Sequence, residues 1–281
     1  FHELKFKGND KKNNVINFSL TIEKKKNFKI LNNFNYPIFL DAYNLNTNSQ
    51  KEIRSKIKEI CKTENIDSIL FKKIIEEKDI NNILAKKKYL SFVGAESIIK
   101  LDKDLDLIKK NFSKGHKSAL KRNYENISYE LIDFKNYKKN EILNMMKLHE
   151  IVSGKKTRSE KTWLLNEKMI LNKKGLLIKI KEGSETISYS FFFNNLKTSL
   201  YFSSCTIRNK FKIYNNLTHK VIWEAIKYFK SNKCENFYLG ITKSLFSTDN
   251  LDLKAKNIDL FKSSFGGEKS FFAIYNNFEI L

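Results

Sequence analysis

The chain has 281 residues, of which 41% are hydrophobic and 13% aromatic, and its formal net charge at pH 7 is +22. The apolar content is enough for a core, the absence of low-complexity runs argues against a disordered protein, and the length allows one large domain or two of ordinary size. The charge favours an anionic partner, such as nucleic acid, a phosphorylated metabolite or an anionic membrane surface, unless it only reflects the Lys- and Asn-rich composition of an AT-rich genome.

The first half of the chain predicts strands and helices in alternation, without a linker rich in Pro, Gly or Ser. The segments PIFLDA and DSILFKK are typical of strands, LSFVGAESIIKLD contains another, and SQKEIRSKIKEICKT is typical of a helix. A long basic stretch, DLDLIKKNFSKGHKSALKRNYEN, predicts a further helical segment. This half is compatible with an eroded copy of an α/β unit.

The second half begins with one strand and two helices. Residues 127–133, ISYELID, alternate apolar and polar side chains as a strand does. Residues 139–152 and 158–172 carry apolar residues at helical spacing. Ser159 is the expected cap of the second helix, and Gly175 is the residue expected to stop it.

A β-meander follows the two helices. The segments LLIKIKEG, TISYSFFF and SLYFSSCT are joined by short polar turns, which predicts three antiparallel neighbours. A loop, IRNKFKIYNN, then precedes a helix whose apolar positions fit a period of 3.6: Leu217, Val221, Ile222, Ala225, Ile226 and Phe229. The end of the chain predicts a strand NFYLGIT, a helix LKAKNIDLFKSS ending at Gly266-Gly267, and two short strands around Asn276-Asn277. The resulting order, β-α-α-β-β-β-α-β-α-β-β, is that of the GNAT acyltransferase fold.

Cysteine usage and hydropathy point to a reducing cytoplasm. Cys61, Cys205 and Cys234 are widely spaced and form no CxxC pair, so neither a zinc site nor a disulfide framework is indicated. No apolar run approaches the ~20 residues of a membrane helix. The N-terminus lacks a signal-peptide core and an initiator Met, which suggests trimming. Peripheral attachment to the inner membrane through basic residues stays open.

Four stretches of the second half resemble the FemAB-like branch of the GNAT superfamily: SGKKTRSEKTW, SLYFSSCTIRNKF, THKVIWEAIKYFKSNKCENFYLG and LKAKNIDLFKSSFGGE. The stretch KGHKSALKRNYEN is similar to the basic helix that opens the second half of such proteins. This branch holds the peptidoglycan bridge-forming aminoacyltransferases and their relatives in surface-polysaccharide gene clusters. The resemblance implies an α/β fold of tandem GNAT-like units, each a mixed, mostly antiparallel sheet flanked by helices. We expect a degenerate N-terminal unit over 1–125 and a FemAB-like unit over 126–281.

The resemblance also implies a catalytic lysine near the C-terminus. The bridge enzymes carry a Phe-Lys pair whose lysine is proposed to stabilise the oxyanion of the tetrahedral intermediate, and Phe261-Lys262 matches this pair. His219, one turn into a helix, is the second catalytic candidate, as a hydrogen-bonding group or a proton acceptor. For Lys262 the alternative is a solvated helix lysine, and for His219 it is a structural imidazole.

Substrate binding is expected at residues that the matching stretches contain: Arg158, Trp163, Tyr201, Arg208, Lys121, Arg122, Phe261 and Lys254. An arginine such as Arg158 can clamp a phosphate or carboxylate. Trp163 can pack against a sugar or base, although a core position is favoured. The basic run around Lys121 suits tRNA or a nucleotide diphosphate, or is the wet face of a helix.

The donor and the base are less well defined by the sequence. In GNAT proteins that use coenzyme A, the loop before the helix at 217 is rich in glycine and holds the pyrophosphate. Here that loop has no glycine, which disfavours acyl-coenzyme A and leaves aminoacyl-tRNA as the favoured donor. Its basic side chains, Arg208, Lys210 and Lys212, suit an anion or a basic surface. Asp41 and Glu96 are candidate general bases.

The predicted function is acyl or aminoacyl transfer to an amine of an amino sugar, a nucleotide-linked sugar or a cell-envelope precursor, without a metal. Two rival functions stay open. One is a nucleic-acid-binding protein without catalysis, suggested by the net charge and the aromatic content. The other is a degenerate GNAT scaffold.

Overall fold

A computed structural model of the chain describes residues 2–25, 27–33, 38, 40, 45–75, 89–195, 197–242 and 253–277. It is an α/β protein with the predicted mixed, mostly antiparallel sheets and flanking helices. None of the helices in these ranges is both long and apolar enough to cross a bilayer.

The chain divides into two compact units, both discontinuous in sequence. The first unit contains residues 1–96, 241–255 and 269–281, and the second contains residues 97–240 and 256–268. This division differs from the predicted boundary after residue 125. Physically, the segment before that boundary packs into the core of the second unit, whereas the last strand pairs with a strand of the first.

The first unit is a sheet that packs against one long helix. Its elements are β1 (His2–Asn9), β2 (Val15–Lys25), β3 (Phe28–Asn32), α1 (Thr47–Thr63), β4 (Ser68–Ile69) and β5 (Phe71–Ile74). Strands β1 to β4 lie side by side in that order, antiparallel except for the β3–β4 pair. Helix α1 begins at its N-cap Asn46 and buries Ile53, Ile57 and Cys61, one residue per turn.

Strand β6 (Leu90–Lys100) leads from the first unit into the second. The second unit then contains α2 (Leu105–Lys110), α3 (Lys114–Lys121), β7 (Ile127–Ile132), α4 (Glu141–Ser153), α5 (Glu160–Leu171), β8 (Gly175–Glu182), β9 (Glu185–Asn195), β10 (Thr198–Thr206), α6 (Arg208–Ile213), α7 (Leu217–Ser231) and most of β11 (Asn236–Thr242). Helix α8 (Leu253–Ser263) and strand β12 (Glu268–Tyr275) complete the described elements.

The sheet of the second unit carries helices on both faces. Its strand order is β11-β10-β9-β8-β7, and the predicted meander β8-β9-β10 is antiparallel as expected. Alternate residues of β8 enter different cores: Ile178 packs in the cluster with α7, and Leu177 packs in the cluster with α4 and α5. All six apolar positions predicted for the helix at 217–231 are buried.

Three local predictions were wrong. The long basic stretch is two short helices, because Ser113 caps α3 through the backbone N–H of His116 and starts a new helix. The predicted loop after β10 contains the short helix α6. Gly175 does not stop α5, which ends near Asn172 and the left-handed Lys173, whereas Gly175 is buried as the first residue of β8.

Two other predictions lie wholly or partly outside the described residues. Most of the predicted strand PIFLDA is not described. The second of the two short strands predicted at the C-terminus falls on residues 278–281, which are also outside the described ranges, whereas the first is β12.

Candidate functional site

A wedge opens in the sheet of the second unit between the parallel strands β10 and β11. The two strands pair only where Thr198–Leu200 face Asn236–Tyr238, and within the described residues no further pairing follows. Strand β10 continues to Thr206, and its register against β9 shifts between Tyr201 and Ser203. Such an irregularity bends a strand, here at the start of the unpaired stretch. The wedge therefore exposes strand edges whose backbone groups can accept a ligand.

Lys262 places its ammonium group at this wedge. Its Nζ would lie 3.3 Å from a β-carbon built on Gly240, the second residue of β11 beyond the stretch paired with β10. Gly240 has a φ of +86°, a conformation that glycine adopts readily and other residues do not. A glycine here both accepts the bend of the strand and leaves room for the Lys262 side chain.

A cluster of four rings holds the segment that carries Lys262. The rings of His116 and His219 meet edge to face with centroids 4.3 Å apart, and the His219 ring is 5.1 Å from that of Phe261. Phe265 completes the cluster, 4.4 Å from His116 and 5.1 Å from Phe261. Helices α3, α7 and α8 meet through these side chains, so the residue before Lys262 is fixed in the core.

One hydrogen bond ties α3 directly to the backbone next to Lys262. Nε2 of His116 lies 3.0 Å from the carbonyl oxygen of Phe261. For this contact to be a hydrogen bond, Nε2 must carry the proton, which assigns the tautomer of a neutral His116. His116 therefore supports Lys262 indirectly, by holding the carbonyl group of the preceding residue, Phe261.

Both imidazoles are neutral at physiological pH. Burial, and to a smaller extent the neighbouring His116, lower the pKa of His219 to about 4. Burial also lowers the pKa of His116, against the opposing effect of the Phe261 carbonyl. Two imidazolium rings with centroids 4.3 Å apart would repel each other in this half-buried setting, which disfavours protonation of both.

The N-terminus of α7 is covered by the end of α3. The N-cap residue Asn216 is completely buried, and its Nδ2 donates to the carbonyl oxygens of Ala119 at 2.7 Å and Arg122 at 3.1 Å. Leu217, the first helical residue, is also fully buried. The amide groups that could face an anion at this helix terminus are therefore enclosed by protein.

With this geometry in hand, comparison with solved structures identifies the fold. FemX matches with a TM-score of 0.65 at 14% identity, over 97% of this chain and 87% of the other. L-PGS from Bacillus licheniformis matches with a TM-score of 0.57 at 10% identity, over 96% and 83%. A tandem GNAT protein from the clavulanic acid biosynthesis pathway matches with a TM-score of 0.52 at 8% identity, over 94% and 79%.

The chain has a tandem GNAT fold. The predicted fold class and the FemAB-like resemblance are thus confirmed at the level of structure. No family model matches the sequence, and no curated protein matches it either.

The basic segment before α7 departs from the expected anion cradle of the GNAT fold. Arg208 donates through Nη2 to the Val152 carbonyl oxygen at 3.1 Å. Lys210 forms an ion pair with Glu182, which leaves Lys212 as the cation of this segment without a described partner. Two of the three basic side chains are thus occupied by the protein itself.

Arg158 lies among aromatic rings and buried polar atoms in the same unit. Its guanidinium carbon lies 5.1 Å from the centroid of the Trp163 ring and 5.3 Å from that of Phe202. His149 approaches the same indole at 5.3 Å. The enclosed Nη1 of Arg158, Nε1 of Trp163 and Oε1 of Glu150 find no hydrogen-bond partner among the described residues. Such atoms normally bind water or a ligand.

Trp163 occupies the core position that the sequence favoured. It is fully buried with Ile142 and Met145, so a direct contact between its ring and a substrate would require neighbouring side chains to move. Tyr201 is half-buried against Phe192 at 5.3 Å and donates to Ser204 Oγ at 2.6 Å. It lies at the mouth of the wedge.

The remaining candidates are scattered. Arg122 donates to Asn215 Oδ1 at 2.9 Å, and Lys121 lines a groove on α3 described below. The side chain of Lys254 and all of Asp41 lie outside the described residues. Glu96 belongs to the first unit, where it is buried in an ion pair with Lys72.

The cysteines and the acidic groups provide no alternative centre. Burial raises the pKa of Cys61 and Cys234 to about 11 and that of Cys205 to about 12, so all three are protonated thiols. Within the described ranges, no cluster of His, Cys, Asp or Glu is placed to hold a metal ion.

Sequence reasoning missed Gly240, Asn216 and the supporting contact of His116. A glycine inside a predicted strand often marks a close approach of another group, and this signal was available for Gly240. No sequence signal connects Asn216 with the end of α3, because their contact depends on the tertiary fold.

Proposed function

We propose that the protein transfers an acyl or aminoacyl group to the amine of an amino sugar, a nucleotide-linked sugar or a cell-envelope precursor. The observation that carries the proposal is the Lys262 ammonium above Gly240, at the open wedge between two parallel strands. The fold shared with FemX and with L-PGS supports a transfer of this type.

The chemistry requires stabilisation of negative charge. The amine nitrogen bonds to the carbonyl carbon of the donor, and the carbonyl oxygen becomes an oxyanion. When the carbonyl re-forms, the bond to the leaving oxygen or sulfur breaks, and the proton lost by the amine nitrogen ends on the leaving hydroxyl or thiol. Lys262, held by the cluster around Phe261, is the cation we assign to this oxyanion. A donor fixed in this way before the reaction contributes ~10²–10³ in rate.

His219 is better suited to positioning than to proton transfer. If the acceptor amine has the pKa of about 8 that an α-amino group has, this pKa lies about four units above that of His219. Moving a proton from one to the other would cost about 5 kcal/mol. We therefore assign His219 the role of a neutral group that packs against Phe261 and helps to fix Lys262.

For the donor, we favour aminoacyl-tRNA over acyl-coenzyme A. Asn216 and Leu217 are completely buried at the N-terminus of α7, and the loop before them has no glycine. A pyrophosphate would have to displace the end of α3 to reach these backbone amides. An aminoacyl ester makes no such demand on this helix terminus.

The test is a screen for product by mass spectrometry. The protein is incubated with amino-sugar nucleotides or envelope precursors, each with charged tRNA or with acyl-coenzyme A as donor. We expect an acylated amine with at least one donor, and a much lower yield with Lys262→Ala. If no donor yields a product, and Lys262→Ala does not change the binding of any donor or acceptor, the protein is not a transferase. The scaffold and the nucleic-acid-binding protein would then be the remaining functions.

A further inference from the structure

A basic groove runs along helices α2 and α3 on the second unit. It has a cavity volume of about 510 Å³ and is lined by Asp106, Ser118 and five lysines: Lys109, Lys110, Lys114, Lys117 and Lys121. One carboxylate therefore faces five ammonium groups. The lining belongs entirely to the segment 106–121, so the groove is complete within these two helices.

The lysines of the groove are distinguished by their arrangement on one surface. In the described part of the chain, none of the five forms an ion pair. Some lysines elsewhere do pair, as Lys179 does with Glu141 and Lys197 does with Glu235, but most described lysines form no ion pair. A lysine-rich composition explains unpaired lysines in general; what it does not explain is the convergence of five of them on one concave surface.

Spacing within α3 confirms that the groove is a built face. Lys114, Lys117 and Lys121 lie on one side of the helix, and His116 and Ala119 are buried on the other. The backbone carbonyl of Lys110 accepts from Lys117 Nζ at 3.3 Å, which brings α2 and α3 together along the groove. The lysines repel one another unless an anion lies between them.

We propose that this groove is a docking surface for the phosphate backbone of RNA. The inference rests on the proposed function, since an RNA-linked donor must be held outside the wedge while its acyl end reaches Lys262. Helix α3 connects the two places: its outer face forms the groove, and His116 on its inner face holds the Phe261 carbonyl. Ammonium groups in a groove suit a chain of phosphates, because each contact releases a counterion.

The concave shape favours RNA over a membrane. A single phosphate chain can lie along the groove and contact lysines of both helices at once. Beside the groove, Nζ of Lys109 lies 5.8 Å from the centroid of the Trp223 ring.

The experiment compares two variants of equal charge by fluorescence anisotropy with labelled, deacylated bulk tRNA. The groove variant is Lys110→Gln/Lys114→Gln/Lys121→Gln, which changes three exposed side chains. The control is Lys147→Gln/Lys161→Gln/Lys168→Gln, also exposed, on α4 and α5 of the same unit. Circular dichroism and thermal unfolding verify that both variants keep the fold.

We expect the groove variant to bind tRNA at least tenfold more weakly than the wild type and to reduce the slope of log K against log salt by about 3, one per phosphate contact. The control variant should stay within about twofold of the wild type, since its lysines lie outside the groove. Equal losses in the two variants, or no binding of tRNA by the wild type, would overturn the proposal. So would groove-dependent binding to vesicles containing phosphatidylglycerol without binding to tRNA, because the surface would then serve a membrane.

Failure of this inference and failure of the proposed function are distinguishable. Transfer from acyl-coenzyme A without tRNA binding would refute the groove and keep the transferase. Groove-dependent tRNA binding that Lys262→Ala leaves unchanged, with no transfer product from any donor, would keep the groove and refute the transferase.

Discussion

The His116–His219 pair makes the stability of the second unit depend on pH in a defined direction. The pKa of His219 is about 4 in the folded chain and about 6.5 in the unfolded chain. Between these values the unfolded chain binds a proton that the folded chain does not. His219 therefore stabilises the fold fully above pH 6.5, and this contribution is lost as the pH falls towards 4. The difference corresponds to at most about 3 kcal/mol.

The assay is urea unfolding of the wild type and His219→Gln at pH 7.5 and pH 4.5. Both tryptophans, Trp163 and Trp223, lie in the second unit, so their fluorescence reports on the unit that contains the pair. We expect the wild type to lose on the order of 2–3 kcal/mol more than His219→Gln on acidification. Carboxylates titrate in both proteins, so their contribution to the pH dependence of the unfolding free energy cancels when the two proteins are compared. Identical pH dependence of the two proteins would refute the reasoning, and the exposed His2→Gln should behave as the wild type does.

Three further substitutions test the site and its support. Gly240→Ala should lower the unfolding free energy by about 1–2 kcal/mol, and it should lower transfer activity at least tenfold because the new methyl group meets Lys262 Nζ. Gly183 also has a positive φ, but a β-carbon there would meet no other atom. Gly183→Ala should therefore lower the unfolding free energy by a similar amount and leave the activity unchanged. Asn216→Ala should lower the unfolding free energy by about 1–3 kcal/mol, measured by urea unfolding, because two enclosed carbonyl groups lose their donor. Lys179→Met should cost about 3–5 kcal/mol in the same assay, because it leaves a buried carboxylate unpaired, and a loss below 1 kcal/mol would contradict that account.

The elements that the sequence predicts well are those whose pattern is local. Helix α7 is the clearest case: a period of 3.6 selects six apolar positions, and these are its buried apolar residues. The meander of β8, β9 and β10 was predicted equally well, because short polar turns separate its three apolar segments. The prediction that Gly175 stops a helix was wrong, because a glycine that ends a helix and a glycine that begins a buried strand cannot be distinguished by sequence alone.

The site depended on contacts that a sequence does not encode locally. The Phe-Lys pair pointed to Lys262, but its position above Gly240 results from the bend of β11 and the docking of α8. The low pKa of His219 arises from burial and from His116 on another helix, and neither cause can be read from the local sequence. Arg208 and Lys210 looked available for an anion until the fold supplied their internal partners.

The most direct test of the central claim is single-turnover transfer with Lys262→Ala, measured against the wild type once a donor and an acceptor are found by the screen. Lys256→Ala is the matched control, since Lys256 is an exposed lysine of the same helix. An oxyanion contact predicts a rate ~10²–10³ lower for Lys262→Ala, with substrate affinity unchanged and Lys256→Ala at the wild-type rate. Equal rates for Lys262→Ala and Lys256→Ala would contradict the assignment of Lys262 to the reacting carbonyl.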